Sequence, residues 1–376
     1  MAAGPDSWTL HDLHEHLQAA VELELLVIPP YLCALYSLHP GTNEEAALII
    51  RSVVVEEMLH MILAANVLNA VGGTPEVGRG KWVPSYPSKI PYHRGPLEVG
   101  LRPFGDVALD TFLAIENPSY PLSHPPKASA AASTPRLMTL RRNGEGYRTI
   151  GEFYDAIADG LRSLVERLGP DAVFTGEAGR QVGPEHYYAS GGEAIPVGGL
   201  ETALQAITEV VEQGEGEVTL PPSGEKFDPD RDLAHFYRFN ELRRGRRYRV
   251  DDLPETPTGE PVVLDLEAVY PMKPNLRTSE IRTPELRRMA EACNAIWSSL
   301  LRRLETALTG TPEELQNAVG TMFELKYAAC ELLRVPLPGD AGFHAGPTFE
   351  VAGADRSARP APAQLDQPVA VAPVRR

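Results

Sequence analysis

Basic charge is in short supply in this chain, which carries 35 Lys and Arg against 51 Asp and Glu, for a formal charge of −16. A nucleic-acid partner would need a basic surface to meet the phosphates, so the composition argues against one. Cysteine is scarcer still. Cys33, Cys293 and Cys330 are the only three, each alone in an apolar helical segment, and no Cys-x-x-Cys spacing occurs. A disulfide framework and a zinc ribbon are excluded on that count, and a reducing, cytoplasmic compartment is expected. Residues 1–9 lack the basic region and apolar run of a signal peptide, and no apolar run is both long and charge-free enough to span a bilayer, so no membrane partner is expected. Apolar residues make up 43% of the 376, which is ample for a large core.

What the chain does have is Ser52-Val-Val-Val-Glu-Glu-Met-Leu-His-Met-Ile-Leu-Ala-Ala-Asn66, a segment with helical propensity and apolar residues all round that carries Glu56, Glu57 and His60 in its middle. A helix apolar on every side is a buried helix, and carboxylates are almost never fully buried without a partner. A metal ion is such a partner. Glu57-x-x-His60 has the spacing that projects a carboxylate and an imidazole from one helical face into a bundle core, as in dimetal carboxylate proteins. Four-residue matches also arise by chance, and a buried ion pair or hydrogen-bonded histidine fits the motif as well, so the preceding helix has to decide.

Residues 10–38 form a second apolar segment with helical spacing, carrying Glu22 and Glu24. His39-Pro40-Gly41 stops it, Thr42-x-x-Glu45 reads as the capping box that starts the next helix, and Gly72-Gly73 ends that one. So short a link makes the two helices antiparallel neighbours. Folding about the point between Pro40 and Gly41 sets Glu24 level with Glu57, one turn from His60. The Pro29-Pro30 pair interrupts the hydrogen-bond ladder and loosens that register, which leaves Glu22 as a second choice, although a solvated face suits Glu22 better.

After Gly73 a stretch rich in proline and glycine runs to about residue 148, with short strand-like or irregular pieces such as 108–116. It is too long for a loop and fits an enlarged crossover, over 73–148, between the two hairpins of a four-helix bundle. A third helix is expected over 149–168, a second insertion over 169–199, and a fourth helix from about residue 200 to 215, where Leu204, Ile207, Val210 and Val211 recur at helical spacing. Residues 232–242 give a short, aromatic-rich helical pattern. Thr283-Pro284-Glu285 and the capping box Thr311-Pro-Glu-Glu314 open two more core-forming helices. The expected organisation is a bundle over 1–250, a helical extension over 251–352 packed on it, and a disordered tail over 353–376, where Ala, Pro, Val and Arg dominate.

A dimetal bundle draws a carboxylate from its third helix and a Glu-x-x-His pair from its fourth. The third offers Glu152 in Thr149-Ile-Gly-Glu-Phe-Tyr154, though Thr149 and Glu152 also form a capping-box pattern; Glu166, among Arg162 and Arg167, reads as a surface charge. The fourth offers Glu209, Glu212 and Glu215. Glu212 and Glu215 have the spacing but no histidine follows, and His235 is the natural substitute, set against the commoner fate of a lone histidine beside aromatics, a hydrogen-bonded place in the core. The expected ligands are Glu24, Glu57, His60, Glu152, Glu212 and His235, with Glu22, Glu56, Glu209 and Glu215 as replacements. Tyr31 and Tyr154, the catalytic candidates, would stand near the metals in redox or supporting roles, or simply packed with a satisfied hydroxyl. Glu116 and Asn117 come within reach from the crossover, but a polar pair before Pro118 more commonly makes a turn.

Leu23-Glu24, Ile28-Pro-Pro-Tyr31, Glu57-Met-Leu-His60, Asn66, Gly72-Gly-Thr-Pro75, Thr149-Ile-Gly-Glu-Phe-Tyr154, Glu212-Gln-Gly-Glu-Gly216 and Ala234-His-Phe-Tyr-Arg-Phe239 together make the chain resemble the ferritin-like family named after iminophenyl-pyruvate dimer synthase. That family includes a domain of a violacein-pathway enzyme that couples two tryptophan-derived imines. The likeness runs from residue 10 to about 350, where Gly346-Pro-Thr-Phe-Glu350 resembles the family's end; Asp232 departs from it, standing where glutamate is expected. The resemblance implies a mainly α fold, a ferritin-like four-helix bundle with a long irregular crossover and additional C-terminal helices, holding two non-haem irons per chain. Manganese is the other metal that suits carboxylate and imidazole ligands. Implied too is an oxygen-dependent oxidase or oxygenase acting on a small, amino-acid-derived natural-product intermediate, oxidative coupling of imines included. Its partners would be dioxygen and the small-molecule substrate, with a homodimer as an allowed assembly and the electron donor unidentified. The alternative function class is metal storage without turnover; against it, storage ferritins are compact bundles, whereas this chain spends much of its length on insertions and flanks suited to walling a pocket.

Overall fold

Helix α1 (Leu10–Ser37) begins at a capping box, in which Asp12 N–H donates to Thr9 Oγ1 at 3.1 Å and the Asp12 carboxylate accepts from Thr9 N–H at 2.9 Å. Pro29 and Pro30 lie inside it without ending it. Proline at position 30 leaves the carbonyl of Leu26, four residues back, without its helical donor, and the Tyr86 hydroxyl donates to that oxygen at 2.8 Å. The Glu24–Glu57 register therefore survives the two prolines. The helix has the length and hydropathy of a membrane span, but 89% of its most apolar window is buried inside the fold.

This computed structural model describes residues 8–79, 85–93, 97–118, 146–187, 191–214, 233–249, 252–253, 256–340 and 342–351. The expected tail over 353–376, and also Asp232 and Glu215, lie outside the described residues. In chain order the further elements are α2 (Glu44–Ala70), the antiparallel pair β1 (Ser88–Lys89) and β2 (Glu98–Val99), α3 (Asp106–Ile115), α4 (Ile150–Leu168), α5 (Leu200–Gly214), α6 (His235–Arg244), α7 (Pro284–Leu308) and α8 (Glu314–Leu333).

Four of these close a ring: α1 packs on α2, α2 on α5, α5 on α4 and α4 on α1. The apolar residues of each helix meet inside that ring in one continuous core, so the expected four-helix bundle is present. The second insertion is pinned to α2 by buried Asn66, whose side chain donates to Val182 O at 2.8 Å and accepts from Val182 N–H at 2.9 Å. Helices α7 and α8 pack on each other and join the same core through Leu286, Trp297, Leu301 and Leu325. Asn69 on α2 donates to Leu308 O at 2.8 Å and ties the end of α7 to the bundle.

Local expectations fail at three places. Thr42 and Glu45 form no capping box: Asn43 is the N-cap in a left-handed conformation (φ 48°), the Thr42 hydroxyl donates to His39 O, and Glu45 is ion-paired with Arg247. Thr311 does not cap α8 either, since Glu313 is the N-cap and Glu314 pairs with Arg303 at 3.0 Å. The largest correction concerns residues 108–116, expected to be strand-like or irregular. They belong to α3, where buried Ala108, Leu109, Phe112 and Ile115 fall on one helical face.

Helix α3 packs against α6, and both lie against the α1–α2 side of the bundle. Phe112 of α3, Phe239 of α6 and Tyr31 of α1 form an aromatic knot with ring centroids 4.5 to 5.2 Å apart. On the solvent side Arg243 reaches Asp110 at 2.6 Å.

Candidate metal centre

Glu24 of α1 and Glu57 and His60 of α2 are buried to 2%, 3% and 2% exposure, at one level of the bundle. His60 Nδ1 stands 3.4 Å from Glu57 Oε2 and 3.9 Å from Glu24 Oε2. One donor atom from each of the three residues lies within 4.8 Å of the others. The groups behind them are specific. The Tyr154 hydroxyl donates to Glu24 Oε1 at 2.5 Å, and His60 Nε2 meets Gln213 Oε1 at 2.9 Å. An acceptor at Nε2 assigns the proton to that nitrogen and leaves the Nδ1 lone pair facing the carboxylates. Gln213 is held in turn, donating to Gly191 O at 2.9 Å and to Glu209 Oε1 at 2.5 Å. Gly191 has φ +95° and a Cβ there would come within 2.7 Å of Glu56 Cγ, so only glycine lets this loop pass so close.

Glu57 is shared with a second group. Glu57, Glu116 and His235 also offer donor atoms within 4.8 Å of one another, all three buried. His235 Nδ1 is 2.9 Å from Glu57 Oε1 and 3.5 Å from Glu116 Oε2, and it completes a well-aimed hydrogen bond to neither. Its Nε2 meets Glu56 Oε2 at 2.8 Å, and Glu56 Oε1 accepts from Arg238 Nη1 at 2.7 Å. The Tyr31 hydroxyl donates to Glu116 Oε1. Helical spacing builds this half: Glu116 follows Phe112 by four residues at the end of α3, and Phe239 follows His235 by four in α6. Residues four apart share a face, so the aromatic knot that joins the two helices also aims both side chains inward.

The structure thus brings together Glu24, Glu57, His60 and His235, with Tyr31 and Tyr154 hydrogen-bonded to the outer carboxylates. It does not bring in Glu152 or Glu212. Glu152 is buried, but its oxygens accept from Arg148, at 3.0 Å from the backbone N–H and 2.9 Å from Nε, while its own N–H is capped by Thr149. Glu212 lies on the exposed face of α5. Among the proposed replacements, Glu22 stays half-buried outside both groups, Glu209 braces Gln213, and Glu56 backs His235. The carboxylate that stands in for the expected two is Glu116, read from sequence as half of a turn. A signal was present in its placement seven residues after Leu109 and four after Phe112, the phase of the buried face of α3.

Packed this closely in a dry site, the carboxylates repel one another. Burial and then the charge of Glu57 push the Glu24 carboxyl well above its ordinary value, and burial and Glu116 push Glu57 up. Burial alone would also raise Glu56, but hydrogen bonds and charge from His235 and Arg238 bring it down to about 2. Burial lowers His60, whereas at His235 the burial effect is overcome by Glu57, Glu116 and Glu56, which hold it well above the usual histidine range. Both phenols are pushed up, by burial and by the adjacent carboxylates, and remain donors. A divalent cation fits this set of residues: it would take the place of the proton at His235 Nδ1 and offset the repulsion among three buried acids at once. Oxygen and imidazole donors of this kind suit iron or manganese.

A small cavity touches the cluster, lined by Glu24, Glu57, His60 and Glu116 together with Leu23, Val27, Ile115, Ile150, Val210 and Gly214. The ferritin-like family model matches residues 17–244, a span that contains both groups of donors. The chain belongs to the ferritin-like family. Among solved structures, a ferritin-like protein from Caulobacter vibrioides has a similar fold, with a TM-score of 0.59 over 92% of this chain and 100% of that one at 23% identity. A comparison with curated proteins finds no match. In this ferritin-like chain the third and fourth bundle helices supply no member of either donor group among the described residues; they contribute Tyr154 and Gln213, which hydrogen-bond Glu24 and His60.

Proposed function

We propose that this ferritin-like protein is a non-haem dimetal oxidase or oxygenase, with Glu24 and His60 holding one iron, Glu116 and His235 the other, and Glu57 shared between them. The observation that carries the reading is the pair of donor groups meeting at Glu57 with the buried Nδ1 of His235 left without a hydrogen bond. Iron bound there would supply dioxygen binding and electron transfer. The protein's own residues would do the rest. Tyr31 and Tyr154 hold the outer carboxylates by their hydroxyls, Gln213 and Glu56 fix the imidazole tautomers, and Leu23, Val27, Ile115, Ile150 and Val210 keep the approach apolar. The resemblance to the iminophenyl-pyruvate dimer synthase family points to a small amino-acid-derived substrate, with oxidative coupling of imines as the transformation it favours.

The test is elemental analysis of protein purified without oxygen, followed by measurement of dioxygen uptake. Two irons per chain and uptake stimulated by a small imine or amino acid support the enzyme. Many irons per assembly, accumulated without any such stimulation, would support storage, and absence of bound metal would sink both readings.

A further inference from the structure

The two halves of the centre share a plan: an outer carboxylate under a tyrosine hydroxyl, a histidine presenting Nδ1, and Glu57 in common. They differ in what stands behind the histidine. His60 Nε2 meets a neutral amide oxygen, Gln213 Oε1 at 2.9 Å. His235 Nε2 meets a carboxylate, Glu56 Oε2 at 2.8 Å. Both Glu56 oxygens are engaged, because Arg238 Nη1 takes Oε1 at 2.7 Å and is itself steadied by Ser52 Oγ at 3.1 Å. Glu56 therefore cannot swing inward to become a ligand without abandoning two charged partners.

Building on the dimetal reading, we propose that Glu56 is a positioning residue that makes the two metal positions unequal, so that the Glu116–His235 position binds a divalent cation more tightly than the Glu24–His60 position. A carboxylate accepts the Nε2 proton more strongly than an amide does. Drawing that proton away enriches the opposite ring nitrogen and makes it the better donor, the effect by which outer-shell carboxylates strengthen histidine ligands. The negative charge also lies one imidazole away from the cation, whereas the Arg238 charge that offsets it lies farther off, beyond the carboxylate. The amide behind His60 offers neither effect.

The experiment is a titration of metal-free protein with Mn2+, followed by the electron paramagnetic resonance signal of the free ion. Two cations sharing Glu57 repel each other and would separate the steps in any case, so intrinsic affinity is read from single-histidine variants. His60→Ala, which keeps the Glu56-backed position, should bind one Mn2+ at least about tenfold more tightly than His235→Ala. Adding Glu56→Gln to His60→Ala should weaken its remaining position by roughly 10- to 100-fold, while adding it to His235→Ala should change little. The reciprocal exchange, Gln213→Glu with Glu209→Gln, should tighten the position left in His235→Ala, and it decides the question if Glu56→Gln fails to fold by circular dichroism. Equal affinities in the two single-histidine variants, or a Glu56→Gln effect of the same size at both positions, would overturn the inequality. Failure of the unaltered protein to bind Mn2+ at all would instead overturn the dimetal reading beneath it.

Discussion

One half of the centre is made by two consecutive long helices, the other by the ends of two short helices that lie more than a hundred residues apart in sequence. Glu24, Glu57 and His60 need only the α1–α2 hairpin, whose short link fixes their register. Glu116 and His235 need α3 and α6 to meet, and what joins those is the Tyr31–Phe112–Phe239 knot and the Arg243–Asp110 pair. The ordinary bundle positions on α4 and α5 have been left to hydrogen-bonding support. On the proposed dimetal reading, one half of the centre stays in the bundle and the other is assembled from the crossover helix and a helix that follows the fourth bundle helix, with one carboxylate common to both.

That carboxylate gives the largest expected effect. Glu57→Ala should abolish binding at both positions, a loss greater than the roughly 100-fold that removal of an outer-shell partner causes, whereas Glu24→Ala and Glu116→Ala should each leave one metal per chain. Metal stoichiometry by elemental analysis, with helical circular dichroism as the folding control, reads the result. One metal retained in Glu57→Ala would mean that the halves are independent.

Legibility in the sequence follows the same division. Glu24, Glu57 and His60 could be read because a short connection turns positions in sequence into positions in space. His235 was reachable only through a shortage of other ligands, since nothing local in Ala234-His-Phe-Tyr-Arg-Phe239 says what it faces. Glu116 was misread because an apolar piece as short as Phe112-Leu-Ala-Ile115 suits a strand or a helix, and the partner that settles the matter, α6, is distant in sequence. Glu152 had two uses open to it, and the nearer one won: Arg148 is four residues away, the cluster is not. Glu212 had spacing without phase. It lies about 200° round α5 from Val210, which turns it away from the face that buries Ala203, Ile207 and Val210.

The halves should also differ from the rest of the protein in how they respond to pH. Glu24, Glu57 and His235 all hold protons more tightly in the folded, metal-free state than in the unfolded chain. The unfolded state then binds fewer protons, so this contribution to stability falls as pH rises. His60 is shifted downward, but above its ordinary value it is neutral in both states and adds no slope. Above the ordinary histidine value, between pH 7 and 9, the metal-free protein should therefore lose stability as His235 gives up the proton that the fold helps it hold, seen as a falling Tm. With metal bound those protons are already displaced and the loss should shrink. Parallel thermal melts with and without Mn2+ would show it, and a metal-free Tm that is flat across this range would contradict it.

Smaller effects should stay within one half. Tyr154→Phe removes the hydroxyl on Glu24 and Tyr31→Phe the one on Glu116. Each should weaken Mn2+ binding at its own position by about tenfold and cost about 1–2 kcal/mol of metal-free stability, as expected for a buried acceptor that loses its donor. A Tyr31→Phe effect on the position left in His235→Ala would show coupling that the hydrogen bonds alone do not supply.

The smallest effects belong to the two glutamates that sequence spacing favoured. Glu152→Gln keeps a carbonyl oxygen for the Arg148 backbone N–H and loses only an ion pair whose arginine is 67% exposed, so it should cost at most about 1 kcal/mol. Glu212→Gln alters an exposed face and should stay within about 0.5 kcal/mol. Metal stoichiometry should be unchanged in both, although Glu152 is as deeply buried as Glu56 and two residues from Tyr154. Burial alone therefore does not mark a ligand here. What separates Glu116 from Glu152 is that the oxygens of Glu152 are occupied by Arg148, while one oxygen of Glu116 faces His235 and Glu57, and a metal count that fell in Glu152→Gln would show that this distinction is the wrong one.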